Sequence, residues 1–153
     1  MTDTTVCLAA PADTATVWNT ASTDLPLTVG LEYDAGAPRQ ARRTVESALR
    51  QWEVDEEVIS DALLVVTELV TNAVEHALPP VTLELRAPSP AGSGLSIEVI
   101  DGGPAPTEGA WAASGTPDEH GRGELIVSAL ATHYGNRIVG AEAHYWATIS
   151  VAR

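Results

Sequence analysis

The segment from Asp55 to Leu78 constrains the fold more than any other part of the chain, because an apolar repeat at helical spacing runs through it and stops at two consecutive prolines. Ile59, Leu63, Val66, Val70, Ala73 and Ala77 form one stripe at three- and four-residue intervals, which predicts a helix with one buried side. Asp55 suits its N-cap, and Glu56 and Glu57 fall in the first turn, where the helix dipole favours acids. Pro79 and Pro80 remove backbone donors and push their predecessors into extended geometry, so the helix is expected to end at Leu78. Glu68, Asn72, Glu75 and His76 gather on a different side. A carboxylate and a carboxamide one turn apart present hard oxygens in nearly the same direction. Such a pair can hold a hydrated Mg²⁺ and polarise a hydroxyl or water, although a solvated polar face is the plainer use of the same residues. His76 reads as a packed, hydrogen-bonded histidine at the helix end rather than as a catalytic group.

Upstream, residues 1–24 are rich in Thr, Ala and Asp without sustained periodicity, and are expected to form a flexible arm, with Val6 to Leu8 and Val17-Trp18 able to add a short edge strand. Leu25, Leu27, Val29, Leu31 and Tyr33 alternate with other residues and predict a first strand. A helix is expected over residues 35–52, with Pro38 in its first turn and Ala41, Val45, Ala48 and Trp52 facing inward. Arg39, Arg42, Arg43 and Arg50 on it read either as a solvated basic face or as a contact for an acidic partner.

Beyond the prolines, residues 81–86 and 95–100 predict two strands joined by a Pro/Gly/Ser-rich turn over 87–94. Asp101-Gly102-Gly103 closes the second, as a plain turn or as a carboxylate displayed at a strand end. Residues 104–120 have no period, which suits a lid with Trp111 as its latch or a disordered loop. Gly121-Arg122-Gly123 is expected to open a helix that packs Leu125, Ile126, Ala129 and Leu130 inward and closes near Gly135. Glycines at such a start either make a simple turn or leave amide donors free for phosphate oxygens, with Arg122 an added cation or an exposed charge. Residues 137–140 and 145–151 predict two closing strands, with Tyr145, Ala147, Ile149 and Val151 on one side. The order of elements predicts an α+β sandwich, one largely antiparallel sheet with helices on a single face.

At 153 residues the chain suits one domain, here 25–153 after the arm, and its formal net charge of -13 disfavours non-specific binding to nucleic acid. Protein partners with basic surfaces fit that charge better. A lone cysteine, Cys7, and the want of a charged-then-apolar leader or a long apolar run lead to the expectation of a cytoplasmic protein without membrane attachment.

Glu68-x-x-x-Asn72, then Asp101-x-Gly103, then Gly121-Arg122-Gly123 resembles the three nucleotide boxes of the GHKL (histidine kinase-like) ATPase superfamily. Within it, "ELVTNAVEHA" followed by "HGRGELIVSALATHYG" is most similar to the bacterial anti-sigma regulatory factor/serine-protein kinase branch, over about residues 25–151. The resemblance implies a Bergerat-type ATP fold with ATP and Mg²⁺ as cofactors. It implies Asn72 as metal ligand, Glu68 as general base, and Asp101 as acceptor for the exocyclic amine of adenine. Gly103 would let the ring approach the backbone, and Gly121, Arg122 and Gly123 would meet the phosphates. The activity implied is phosphorylation of a serine or threonine on a STAS-type anti-anti-sigma protein. The implied partners are that protein, a sigma factor and a second copy of the chain. Two departures stand out: Ala105, where a further glycine is usual, implies a lower ATP affinity, and Glu124, beside the phosphate box, favours the alternative of a GHKL-fold protein-binding module without turnover.

Overall fold

A computed structural model describes residues 26–88, 94–105 and 117–151, with the backbone alone for 117–122. The N-terminal arm, the tip of the turn at 89–93 and the centre of the expected lid with Trp111 lie outside the described residues. The elements are β1 (Leu27–Leu31), α1 (Ala37–Gln51), α2 (Glu56–His76), β2 (Val81–Arg86), β3 (Leu95–Asp101), α3 (Pro117–Leu130), β4 (His133–Val139) and β5 (Glu142–Ile149). The strands form one five-stranded sheet in the order β1-β2-β3-β5-β4, each neighbouring pair antiparallel. This is the expected α+β architecture.

Alternation along the central strands explains why helices cover the sheet. Val81, Leu83 and Leu85 of β2, Leu95, Ile97 and Val99 of β3, and Ala147 and Ile149 of β5 are all buried, while their neighbours in sequence are only partly covered or exposed. α2 lays Ile59, Ala62, Val65, Val66, Val70 and Ala73 into the same core, and α1 adds Ala41, Val45, Ala48 and Leu49. Leu63, placed in the stripe by its spacing, is only half-buried, because the buried arc is centred nearer Ala62 and Val66. Arg50 ties the two helices together through Glu56, and pairs with Glu46 on its own helix at 3.0 Å. Ile97 is fully buried at the centre of the sheet. Ile97→Val should therefore cost about 1 kcal/mol and lower the melting midpoint by about 3 °C, read by thermal denaturation.

Several boundaries depart from the expectation, each for a reason in the contacts of the fold. α2 ends at His76 rather than Leu78, because Ala77 is extended and bridges Pro104 while the Leu78 amide donates to Gly103 O at 2.8 Å. The Pro79–Pro80 bond is cis. β1 stops at Leu31, and Tyr33 is 42% exposed, but its hydroxyl donates to Ala77 O and anchors that same helix end. α3 begins at Pro117, four residues before Gly121, since Pro117-Asp118-Glu119 is itself a helix-start signal of proline followed by first-turn acids. The helix closes at Leu130, not near Gly135, which lies in β4. A Cβ there would come within 2.8 Å of Trp146 Cζ2, so Gly135 exists to seat that ring. With the helix shifted, Val127 is the buried residue, Leu125 is 67% exposed and Ala129 faces out. β4 and β5 are correspondingly longer than predicted and meet in a tight turn at Gly140, whose φ is +63°. Among the described residues no helix is long and apolar enough to cross a membrane.

Candidate functional site

Three main-chain hydrogen bonds bring the end of α2 to the end of β3. Leu78 N donates to Gly103 O at 2.8 Å, Gly102 N to Leu78 O at 2.7 Å, and Ala105 N to His76 O at 3.0 Å, with Ala77 and Pro104 paired beside them. The close approach requires small residues. A Cβ on Gly102 would stand 2.3 Å from Pro79 O, and one on Gly103 would stand 2.5 Å from Ala141 O. Gly103 also has φ of +99°, which side chains rarely adopt. Gly103→Ala is expected to cost about 2 kcal/mol, lowering the melting midpoint by about 6 °C in a thermal scan.

Asp101 sits where this seam meets the sheet, 2% exposed and the one buried charged residue among those described. Its Oδ1 accepts the Gly103 amide at 2.8 Å. Its Oδ2 is buried with no hydrogen-bond partner. Burial pushes the Asp101 carboxyl up from its ordinary value, opposed by the Gly103 amide and by His144. A buried acceptor left open in this way demands a donor. An exocyclic amine of a base meets that demand, and a carbonyl at the same place does not, so the residues fit adenine in preference to guanine.

On α2, Glu68 is half-buried and Asn72, one turn on, is exposed. Desolvation, and then the neighbouring Glu75, raise the Glu68 carboxyl above its usual range. His76 lies beside Glu75 at 3.6 Å. α3 packs against α2 so closely that a Cβ on Gly123 would come within 2.5 Å of Glu68 Oε1. The structure thus brings Gly123 to Glu68, and Asp101 and Gly103 to the last turn of the helix that carries Glu68 and Asn72. Gly121 and Gly123 stand inside α3 rather than at its start, so their amides are not the unpaired ones of a first turn. That corrects the expected start of the helix at Gly121. The Arg122 side chain lies outside the described residues. Glu124 is exposed on the same helix.

No group of three or more His, Cys, Asp or Glu among the described residues is placed to hold a metal ion. A cation here would depend on Asn72, water and the oxygens of a bound ligand, which is how Mg²⁺ is commonly held beside phosphates. Sequence reasoning missed Tyr33, whose hydroxyl fixes the end of α2, and Ala141, whose carbonyl restricts Gly103. Neither carries a local signal, since both act across long gaps in the chain.

The fold is similar to the crystal structure of the RsbU and RsbW domains of Rv1364c from Mycobacterium tuberculosis, with a TM-score of 0.64 and 22% identity. The match covers 84% of this chain and 33% of that one, so the chain spans about a third of the relative's length. At this identity the likeness is one of fold. No curated protein matches the chain in sequence. Residues 31–144 match the family described as the histidine kinase-like ATPase domain, a span that holds Glu68, Asn72, Asp101, Gly103 and Gly123 together, and the chain belongs to that family.

Proposed function

We propose that the chain is an ATP-binding anti-sigma regulatory factor that phosphorylates a serine or threonine of a STAS-type antagonist and sequesters a sigma factor. The observation that carries the nucleotide reading is the open, buried Oδ2 of Asp101 beside a glycine turn stitched to the helix of Glu68 and Asn72. ATP with Mg²⁺, when bound, supplies a transferable phosphoryl group. Asp101 accepts a hydrogen bond from the exocyclic amine of the base, and Asn72 offers its amide oxygen to the metal. Glu68 takes the proton of the incoming hydroxyl as the phosphoryl group passes to that oxygen and ADP leaves, and its raised pKa makes it the stronger base for that step. Arg122 is the candidate cation for the phosphates, with Gly121 beside it, and the bare backbone at Gly123 allows α3 to lie against α2. A new phosphate on the antagonist adds charge at its interface and would release this chain to hold the sigma factor.

The branch assignment draws on "ELVTNAVEHA" and "HGRGELIVSALATHYG" within a chain of the ATPase family. A homodimer is part of the same proposal. The test is incubation with γ-labelled ATP, Mg²⁺ and STAS-domain candidates, followed by a sigma-factor capture assay. Label on a serine or threonine of one candidate, with loss of its binding, is the expected result. Absence of label under conditions where ATP binds would favour the second reading, a protein-binding module without turnover. Gly123 packed directly against the Glu68 carboxylate, with exposed Glu124 next to it, is the observation on that side.

A further inference from the structure

The inner face of the sheet continues past Asp101 to a group that the proposed chemistry leaves unused. In the β3–β5 register Asp101 stands opposite Ala143, and Val99 stands opposite Tyr145. Asp101 and Tyr145 are therefore diagonal neighbours on one face, a relation that places such side chains roughly 7 Å apart, within reach of an aromatic ring. The residue directly opposite Asp101 is an alanine, so nothing larger than a methyl group stands there. Next along, the β4 residues on this same face are left uncovered by helices: Tyr134 is 44% exposed and Ile138, opposite Ala143, is 63% exposed. An uncovered strip beside a small residue and an open acceptor is a place for a flat ring.

Tyr145 is half-buried beside that strip. Its hydroxyl does not satisfy Asp101 Oδ2, which has no hydrogen-bond partner, although the carboxylate acts on it electrostatically. Burial and that negative charge both push the Tyr145 phenol up, so it keeps its proton and remains a donor at neutral pH.

We infer that Tyr145 is a base-reading residue of the nucleotide site, donating its hydroxyl proton to ring nitrogen N1 of adenine while Asp101 accepts from the adjacent exocyclic amine. The inference rests on the nucleotide reading proposed above and assigns a second specificity contact to it. An acceptor and a donor side by side match the edge of adenine, which offers a donor and then an acceptor. Guanine presents a carbonyl to the acceptor-only Asp101, which repels it and keeps its edge away from the Tyr145 hydroxyl, so the second contact is made with adenine alone.

The test is calorimetric titration of the full chain and of Tyr145→Phe with ATP, GTP and 1-deaza-ATP, in which a C–H replaces N1. Removing the hydroxyl should weaken ATP about tenfold, leave GTP unchanged, and lower the ATP-to-GTP preference by the same factor. For 1-deaza-ATP, parent and variant should bind alike, both about tenfold below the parent with ATP, because the atom and the hydroxyl report one contact. Equal weakening of ATP and 1-deaza-ATP in the variant would overturn the inference, since it would mark a packing role. Unchanged ATP affinity in a parent-like fold would overturn it as well. If the parent binds no adenine nucleotide, the nucleotide reading itself fails and takes the inference with it, whereas binding that depends on Asp101 but not on Tyr145 removes the inference alone.

Discussion

Asp101→Asn is expected to bind ATP at least about 100-fold more weakly than the parent while folding as stably or more so. Asparagine can keep its carbonyl on the Gly103 amide, which leaves its own NH₂ facing the place where the carboxylate Oδ2 was open. A donor then meets the amine of adenine, and two donors cannot pair. Affinity for GTP should rise relative to ATP, because the guanine carbonyl can accept from the new amide. The stability part follows from the direction of the Asp101 shift. Its folded pKa lies above the unfolded value because of burial, so its contribution to stability is present at low pH and is lost as pH rises through the folded pKa. At neutral pH the buried charge therefore weighs against folding, and asparagine removes it. Calorimetric titration with ATP and GTP, paired with thermal melts at neutral pH, reads both effects. In the parent, ATP affinity should also fall as pH drops through the raised Asp101 pKa, since a protonated Oδ2 becomes a donor.

Glu68→Gln should slow phosphoryl transfer to the antagonist by roughly 10² to 10⁴, the usual worth of a positioned general base, with ATP affinity changed by less than about threefold. Glutamine is nearly the same size and keeps an acceptor oxygen, but it cannot take the hydroxyl proton. Because desolvation and Glu75 raise the Glu68 carboxyl, the parental rate should climb with pH until that group ionises, above the ordinary carboxylate range, and the variant should lose this limb of the profile. Transfer by the variant at the parental rate would show that some other group takes the proton. Single-turnover assays with labelled ATP across pH separate the cases.

What the sequence disclosed depended on how local the cause was. The helix of Glu68 and Asn72 was legible from its own period, and its start at Asp55 and Glu56 from cap and dipole rules. The β2–β3 hairpin and the strand-end position of Asp101 were equally plain, since alternation and turn residues lie side by side in the chain. Gly121 and Gly123 misled, because a glycine next to an apolar run looks like a boundary, while the Pro117-Asp118-Glu119 signal upstream carried the start further back. Gly135 misled in the same way. Its reason is Trp146 on the partner strand, and no spacing rule reveals a cross-strand ring. The seam between Leu78 and Gly103 was invisible too, for it consists of backbone groups that any residues could have supplied. Motif order nevertheless pointed to the right family, since the residues it uses fall on elements whose types were mostly foreseeable.

That seam makes the two ends of the site a single mechanical piece. The peptide groups of His76 and Leu78 are locked to those of Gly102, Gly103 and Ala105, so a purine held at the strand end cannot shift without dragging the last turn of the helix. Seating the ring and aiming the carboxylate eight residues earlier are then parts of one movement. Deuterium uptake at the Leu78, Gly102 and Ala105 amides should slow together on adding nucleotide, as a block rather than one by one.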